Sequence, residues 1–204
     1  MSRAIEVLSE GARSILGRPL TETEKGSFDK YLKLIGKWQS TQRLVGSTDP
    51  LWIVESLFLD SLLFLRVLPQ GIDSIADLGS GAGLPGIPIK IVRPALDVTL
   101  IESRERRVSF LSAVVRELGL ERIHVVNARA EEVAAGTPRA FGAVLMRCAG
   151  DPSHVLPVAS QLVASGGVVV VAGPPTKRPL PVGQWVEVAG TRPGRTRRFA
   201  VISV

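Results

Sequence analysis

An acidic residue followed by closely spaced glycines is the feature of this chain most able to support chemistry. Asp77 ends an apolar segment, and the glycines that follow it are Gly79, Gly81, Gly83 and Gly86. Glycine lacks a side chain and accepts positive φ, so the main chain can turn sharply and expose its N–H groups to a ligand. The pattern predicts a strand, a glycine-rich turn and a helix that together bind a nucleoside cofactor.

A second acidic residue ends the next predicted strand, residues 97–102. Glu102 lies 19 residues after Gly83, near the interval of roughly 20 residues at which a βαβ unit brings a carboxylate to ribose hydroxyls. A carboxylate suits this task because it can accept two hydrogen bonds from a vicinal diol. We therefore predict that Glu102 binds a ribose; the alternative is a plain tight turn with Glu102 at the surface end of its strand.

Two cofactor classes fit this unit. Gly81, Gly83 and Gly86 form the G-x-G-x-x-G pattern of dinucleotide-binding proteins, which is weak by itself. Read from Asp77, the same loop is D-x-G-x-G-x-G, which opens S-adenosylmethionine-dependent methyltransferases. A carboxylate so near the turn repels a pyrophosphate but attracts a cofactor that carries an ammonium and a sulfonium. The sequence thus favours S-adenosylmethionine, and an NAD(P)-dependent dehydrogenase is the alternative.

The elements that must position these residues alternate between strand and helix from residue 72 onward. Predicted strands are 72–77, 98–102, 124–127, 143–146 and 168–172, and predicted helices are 87–92, 105–118 and 152–163. This alternation predicts an α/β fold with a doubly wound, mostly parallel sheet, the Rossmann-like architecture of class I methyltransferases. Two further strand-like runs, 184–190 and 197–204, are expected to form an antiparallel edge.

Residues 1–70 are expected to form a helical extension packed on a methyltransferase domain of residues 71–204, in one compact unit. Apolar spacing and breakers predict three helices, at about 3–16, after Thr21, and from about 50 to 65. The aromatic and leucine side chains along one face of the third helix, which include Trp52, are interpreted as packing against the α/β core.

Ligands of such a sheet bind beyond the carboxyl ends of its strands. Besides the loop and Glu102, this edge is predicted to hold Ser103, Ala130, Glu131 and Arg147. Ala130 and Glu131 can close over an adenine or simply begin a helix. Arg147 needs a partner, such as a ligand carboxylate, a protein acid or a phosphate, and is the candidate for positioning substrate or cofactor. We predict no catalytic dyad and no metal site.

The charge balance of the 204-residue chain indicates a polyanionic partner. The net charge is +6 and the calculated pI is near 10.1. Arginines cluster at 104–107 and 192–198, which indicates either a solvated face or contacts with nucleic acid phosphates. Cys148 is the single cysteine. This excludes an intrachain disulfide, and with no apolar run of membrane-spanning length the expected location is the cytoplasm.

Several segments resemble the bacterial small-subunit ribosomal RNA methyltransferase G family, also called glucose-inhibited division protein B. They are DLGSGAGLPGIPIKIVRP (77–94), IESRERRVSFL (101–111), ARAEEV (128–133) and FGAVLMR (141–147). Two N-terminal segments, GKWQSTQRLVGSTDP (36–50) and FLDSL (58–62), keep only the general pattern of the family. The LPGIP phrase is unusual among methyltransferases. The resemblance covers roughly residues 20–172.

This resemblance implies a role for six of the residues above. It assigns S-adenosylmethionine binding to Gly79, Leu84, Ala130–Glu131 and Arg147, with Glu102 on the ribose. It implies methyl transfer to N7 of a guanine in 16S ribosomal RNA, free or in the small subunit. We expect the protein to be a monomer without membrane attachment. N7 has a lone pair and no proton, so positioning and desolvation suffice and no general base is required.

The chain departs from the family at positions that are polar there. The asparagines after the tryptophan and in an N-L-T phrase are Gln39 and Arg43 here, and Val45 replaces the threonine. An Arg-His pair is Ser56-Leu57, and a lysine after the fifth strand is Ala172. These departures leave open a second hypothesis, an RNA- or ribosome-binding homologue with an altered substrate or without turnover.

Overall fold

A computed structural model describes residues 2–147, 152–174, 179–180, 182–192 and 194–204, and for 152–154 only the backbone. Cys148 and part of the proline-rich loop, residues 175–178 and 181, lie outside the described residues.

The described chain contains a seven-stranded sheet with the order β3-β2-β1-β4-β5-β7-β6. The strands are β1 Ser74–Leu78, β2 Asp97–Glu102, β3 Ile123–Asn127, β4 Phe141–Met146, β5 Val163–Ala172, β6 Gln184–Ala189 and β7 Thr196–Ser203. The first five run parallel, and β7 runs antiparallel to both β5 and β6. The predicted fold class and the antiparallel edge are confirmed.

Helices cover both faces of the sheet. They are α1 Arg3–Leu16, α2 Glu22–Gln39, α3 Pro50–Ile53, α4 Leu59–Leu62, α5 Gly86–Val92, α6 Glu105–Leu118, α7 Ala130–Gly136 and α8 Pro152–Leu162. Along β1, Ile75 belongs to a cluster with α1, α2, α5 and α6, whereas Ala76 belongs to one with α7 and α8. This alternation is expected of a parallel sheet buried on both sides.

Local sequence signals set the helix boundaries of the N-terminal segment. The Thr21 hydroxyl accepts from the Glu24 amide at 3.2 Å and the Glu24 carboxylate accepts from the Thr21 amide at 2.7 Å, which forms the predicted capping box of α2. Pro50 begins α3, with Asp49 as the N-cap. Residues of α1 and α2 are buried in the same cluster as the sheet, whereas a domain boundary at residue 70 stays a prediction.

A π-helical turn, Val54–Phe58, separates α3 from α4, and a 3₁₀ turn, Leu63–Arg66, follows α4. In the π turn the amide of Leu59 donates to the carbonyl of Val54, five residues earlier. Apolar spacing predicted a helix through this region but not its wider turn, because one extra residue changes the apolar period very little. None of the described helices is long and apolar enough to span a membrane.

Candidate functional site

The glycine-rich turn is anchored to a buried carboxylate. Asp77 is 0% exposed, and its Oδ2 accepts a 2.9 Å hydrogen bond from the amide of Gly86 at the start of α5. The Ser80 hydroxyl donates to the main-chain carbonyl of Asp77 at 2.8 Å. These bonds hold the strand end against the first turn of α5, so Asp77 fixes the shape of the turn from within.

Most amides of the turn donate to groups of the protein itself. Gly79 and Ser80 donate to the carbonyl of Ile101, and Gly83 and Leu84 donate to the carbonyl of Ser80. The Gly81 amide donates to Glu102. The expectation that these amides are open to a ligand is therefore corrected for this turn. Its tight winding brings carbonyls within reach of its own amides, and a pyrophosphate would find few free donors.

Glu102 closes the turn from the neighbouring strand. Its Oε2 accepts from the Gly81 amide and its Oε1 from the Arg104 amide, each at 2.9 Å. Arg107 Nη1 lies 3.6 Å from Oε2 of Glu102. Glu102 itself is 5% exposed. Each carboxylate oxygen can accept more than one hydrogen bond, so Glu102 keeps capacity for a diol.

Two cavities meet at the turn and share Gly79. The first, about 340 Å³, is called here the Arg147 cavity; it is lined by residues 44–46, Trp52, Leu57, residues 79–82, Leu84, Arg107 and Arg147. The second, about 230 Å³, is called the Glu102 cavity; it is lined by residues 78–79, 101–103 and 128–131, Met146 and Val155. Together they form a cleft along the carboxyl ends of the central strands.

The cleft brings together eight of the ten residues predicted for the site: Gly79, Gly81, Leu84 and Arg147 in the Arg147 cavity, and Glu102, Ser103, Ala130 and Glu131 in the Glu102 cavity. Asp77 and Gly83 lie behind the turn. A Cβ at Gly83 would be 2.3 Å from Ile87 Cδ1, so this glycine faces α5 instead of the cleft. A part for these two residues in cofactor binding stays a prediction.

A larger cavity, about 800 Å³, opens at the other end of the sheet, around Arg66, Ile72 and Arg93. It contains none of the predicted site residues. We place the site in the smaller pair of cavities because ligands of open α/β sheets bind beyond the carboxyl ends of the strands.

Arg147 is held by the N-terminal extension. Its Nη1 donates to the carbonyl of Ser56 at 3.3 Å and lies 3.6 Å from Asp60 Oδ2. Asp60 also pairs with Arg197, whose Nε lies 2.8 Å from Oδ1. The guanidinium is 14% exposed and lines the cavity. The π turn that carries Ser56 thus orients the one arginine that ends a central strand.

A second link joins the extension to the glycine-rich turn. The buried Tyr31 hydroxyl, on α2, donates to the main-chain carbonyl of Ala82. Its ring stacks on Phe58 at 4.9 Å between centroids. Burial, reinforced by the charge of Asp77, holds the pKa of Tyr31 well above its usual range, so the hydroxyl remains a donor. Sequence reasoning missed both Tyr31 and Asp60, because only the tertiary fold brings them to the turn and to Arg147.

Two of the departures from the family, Val45 and Leu57, line the Arg147 cavity, and a third, Gln39, shapes the segment beside it. Gln39 Oε1 accepts from the amides of Leu44 and Val45 at 2.8 and 3.0 Å, and its Nε2 donates to the Val45 carbonyl at 2.8 Å. Gln39 therefore shapes the segment that forms one wall. Val45 and Leu57 line the cavity, whereas Arg43 is exposed.

The two arginine clusters differ in their surroundings. In the second, Arg192 pairs with Glu55 at 2.6 Å and Arg198 with Glu187 at 2.9 Å, and Arg197 pairs with Asp60 as described. These three arginines hold the edge strands and the extension together. In the first cluster, Arg107 lines the Arg147 cavity and is 28% exposed, which leaves it accessible to an anion.

The buried Asp77 carboxyl makes stability depend on pH. Burial raises the pKa of Asp77 to about 7, against the opposing effects of the Gly86 hydrogen bond and the Arg147 charge. In the unfolded chain this pKa is about 4. Between those values the folded state holds a proton that the unfolded state lacks, so this carboxyl lowers stability as pH rises from about 4 to 7 and changes it no further above 7.

Asp77→Asn should remove this dependence, because its amide carbonyl can accept from Gly86 without charge. We expect the stability of the variant relative to the unmodified protein to rise with pH across that window, by on the order of 4 kcal/mol at most. Chemical unfolding at pH 4.5, 6 and 8 measures the difference. The side-chain N–H₂ of the introduced asparagine has no partner in this site, but its cost does not depend on pH. A difference in unfolding free energy that stays constant with pH would therefore show that the Asp77 carboxyl titrates normally in the fold.

Comparisons with known proteins agree with the geometry. The profile of the family described as rRNA small subunit methyltransferase G matches residues 24–173. A protein named ribosomal RNA small subunit methyltransferase G from Nitrosospira multiformis is 38% identical over 74% of this chain and 68% of its own length. Another of that name, from an Anaeromyxobacter species, is 35% identical over 79% of this chain and 74% of its own.

Coverage of the curated relatives varies, and other matches span as little as 48% of the relative's length. Among solved structures, a SAM-dependent methyltransferase from Aquifex aeolicus superposes with a TM-score of 0.54 at 20% identity, over 76% of this chain and 94% of that one. At this identity the likeness supports the fold alone.

Proposed function

The chain belongs to the rRNA small subunit methyltransferase G family, and we propose on this basis that it transfers the methyl group of S-adenosylmethionine to small-subunit ribosomal RNA. The observation that carries the proposal is the family match over residues 24–173. That range contains Tyr31, Gln39, Asp60, both cavities and every residue predicted for the cofactor site.

The cleft fits S-adenosylmethionine. A Cβ at Gly79 would meet no atom within 4 Å, so the main chain there borders open space where the two cavities join. Cavities of this combined size accept ligands of cofactor dimensions. The buried carboxylate of Glu102 gives this side of the turn a negative charge, which suits a cofactor with two cationic centres and no phosphate; Asp77 adds to that charge only above its pKa of about 7.

We assign the adenosine part of the cofactor to the Glu102 cavity, with Glu102 on the ribose and Ser103, Ala130 and Glu131 beside the base. The Arg147 cavity then receives the methionine part and the methyl acceptor. When bound, S-adenosylmethionine supplies a methyl group on a positively charged sulfur. Gly79, Gly81 and Leu84 leave the space for it, while Arg147 orients the groups at this end of the cleft.

The proposed acceptor is N7 of a guanine in 16S ribosomal RNA. N7 offers a lone pair and carries no proton, so no residue of the chain must remove one. The walls around Leu44, Leu57 and Leu84, each nearly buried, exclude water and hold the acceptor in line. The absence of an acid–base pair among the described cavity residues is consistent with such a reaction.

The family match leaves the NAD(P)-dependent dehydrogenase without support beyond its three glycines. The internal hydrogen bonds of the turn weigh against a pyrophosphate as well. Because the proposed substrate is ribosomal RNA, we also propose that the protein acts in the cytoplasm. Its monomeric state is a prediction that analytical ultracentrifugation would test.

Methyl transfer can be measured directly. The purified protein is incubated with methyl-labelled S-adenosylmethionine and small subunits, or 16S RNA, from cells that lack this modification. We expect label in the RNA that digestion releases as 7-methylguanosine. Calorimetric titration with S-adenosylmethionine and with NADH is run in parallel, and we expect binding of the former alone.

The outcomes separate the hypotheses. Label in another base would contradict the assignment of guanine N7. RNA and cofactor binding without transfer would favour the homologue without turnover. Binding of NADH instead of S-adenosylmethionine would overturn the cofactor class.

A further inference from the structure

Trp52 supplies the aromatic side chain in the lining of the Arg147 cavity. It follows Pro50 on α3, is partly exposed, and faces the same space as Gly79, Gly81 and Arg147. Close ring pairs in the described chain involve Phe28, Tyr31, Trp38, Phe58, Phe64, Phe110 and Phe199. Trp52 belongs to none of these pairs; part of its side chain packs against the core cluster, and part lines the cavity.

The residue beside the indole leaves it uncovered. A Cβ on Gly46 would lie 3.6 Å from Cη2 of Trp52, in ordinary contact with the six-membered ring. Because residue 46 is glycine, that part of the ring borders the cavity. Gln39 holds the neighbouring residues through three hydrogen bonds to the main chain of Leu44 and Val45, so the opening is a built feature of the segment.

Part of the remaining wall is apolar, part is formed by Ser80 and the main chain of residues 79–82, and the rim is cationic. Leu44, Val45, Leu57 and Leu84 are each below 9% exposed, and none can hydrogen-bond a base edge. Arg107 and Arg147 supply positive charge at the same cavity. A cavity that combines an indole, buried aliphatic side chains and two arginines suits a planar base attached to a phosphate backbone.

We propose that Trp52 is the stacking platform for the acceptor purine, which enters the Arg147 cavity from an unpaired stretch of RNA. The ring of Trp52 takes one face of the base, and Arg107 and Arg147 attract its phosphate backbone. The leucine and valine side chains accept the base by shape and desolvation. The inference rests on the proposed function and names the residue that receives its substrate.

The first test compares Trp52→Ala and Trp52→Phe, with Leu51→Ala as the matched control. Leu51 neighbours Trp52 in α3 and packs on the core without lining the cavity. We expect Trp52→Ala to lower kcat/KM for RNA by about tenfold or more, and Trp52→Phe and Leu51→Ala to retain most of it. The Kd for S-adenosylmethionine should stay within about twofold in all three.

Three outcomes of this test would overturn the proposal. Unchanged kcat/KM in Trp52→Ala would remove the stacking role. An equal loss of cofactor affinity would assign Trp52 to the cofactor, and an activity loss that follows Tm in all three variants would assign it to packing of α3.

The second test does not need turnover, and so separates a failure of this inference from a failure of the proposed function. Trp38→Phe with Trp185→Phe leaves Trp52 as the single tryptophan. With S-adenosylhomocysteine present, we expect an oligoribonucleotide with an unpaired guanosine to quench its fluorescence, and the same strand with an abasic site at that position to have little effect. Equal quenching by both strands, or none by either, would refute stacking even if methyl transfer is observed.

Discussion

Gly81→Val will reduce S-adenosylmethionine affinity by at least about 100-fold while the chain remains folded. Gly81 has φ +59, and a Cβ there would lie 3.6 Å from Arg107 Nη1 and 3.8 Å from the Gly79 carbonyl. The branched side chain would therefore fill the cleft between Gly79 and Arg107. A valine also adopts this positive φ only at a conformational cost of roughly 1–3 kcal/mol. Relaxing that strain moves the main chain and weakens the hydrogen bond from the Gly81 amide to Glu102.

Gly119→Val is a closely matched control. Gly119 has φ +60, meets no atom within 4 Å of its Cβ position, and lies at the end of α6 away from both cavities. Both variants should lose similar stability by thermal unfolding, whereas calorimetry should find lost affinity only for Gly81→Val. Equal affinities in the two variants would mean that the cofactor does not lie against this turn.

Gly86→Ala will destabilise the fold by about 3 kcal/mol. Its Cβ would lie 2.5 Å from Leu100 Cδ2 and 2.8 Å from Asp77 Oδ2. The leucine can change rotamer, but Asp77 is fully buried and bonded to the Gly86 amide. The strand and α5 must separate, which lengthens that bond. Urea unfolding measures the loss, and cofactor affinity should fall with it because the same bond shapes the turn.

The matched control for Gly86→Ala is a glycine-to-alanine change that should raise stability instead of lowering it. Gly36 lies inside α2, where a Cβ would meet nothing within 4 Å. Gly36→Ala should raise stability by about 0.5–1 kcal/mol, since alanine favours a helix over glycine. If both alanine variants shifted stability alike, tight packing at Gly86 would not be the cause.

The βαβ unit was predictable because its signals are local. Asp77, the glycines and Glu102 lie within one short stretch, and parallel strands must bring their carboxyl ends to one edge. The fold class, the capping box at Thr21 and the antiparallel edge followed from similarly short patterns.

The opposite wall of the cleft was not predictable in the same way. Trp52, Tyr31 and Asp60 lie on helices whose apolar stripes indicate only burial, and burial does not say which strand end a helix will face. The arginines after residue 190 show the converse, since clustered charge indicated a polyanion but three of them pair with Glu55, Asp60 and Glu187. The hydrogen bonds inside the turn depend on its winding, which the spacing of the glycines does not determine.

The π turn at Val54–Phe58 has an evolutionary consequence. A π turn is a regular helix that has gained one residue. Its loss by deletion would restore the ordinary ladder and rotate the preceding segment by about 100° relative to the following one. Trp52 would then swing out of the cleft, and the carbonyl of Ser56 would leave Arg147, although the buried residues of α4 could stay in place. Under the proposed role of Trp52, a one-codon insertion or deletion here would redirect acceptor recognition between related lineages without altering their common scaffold.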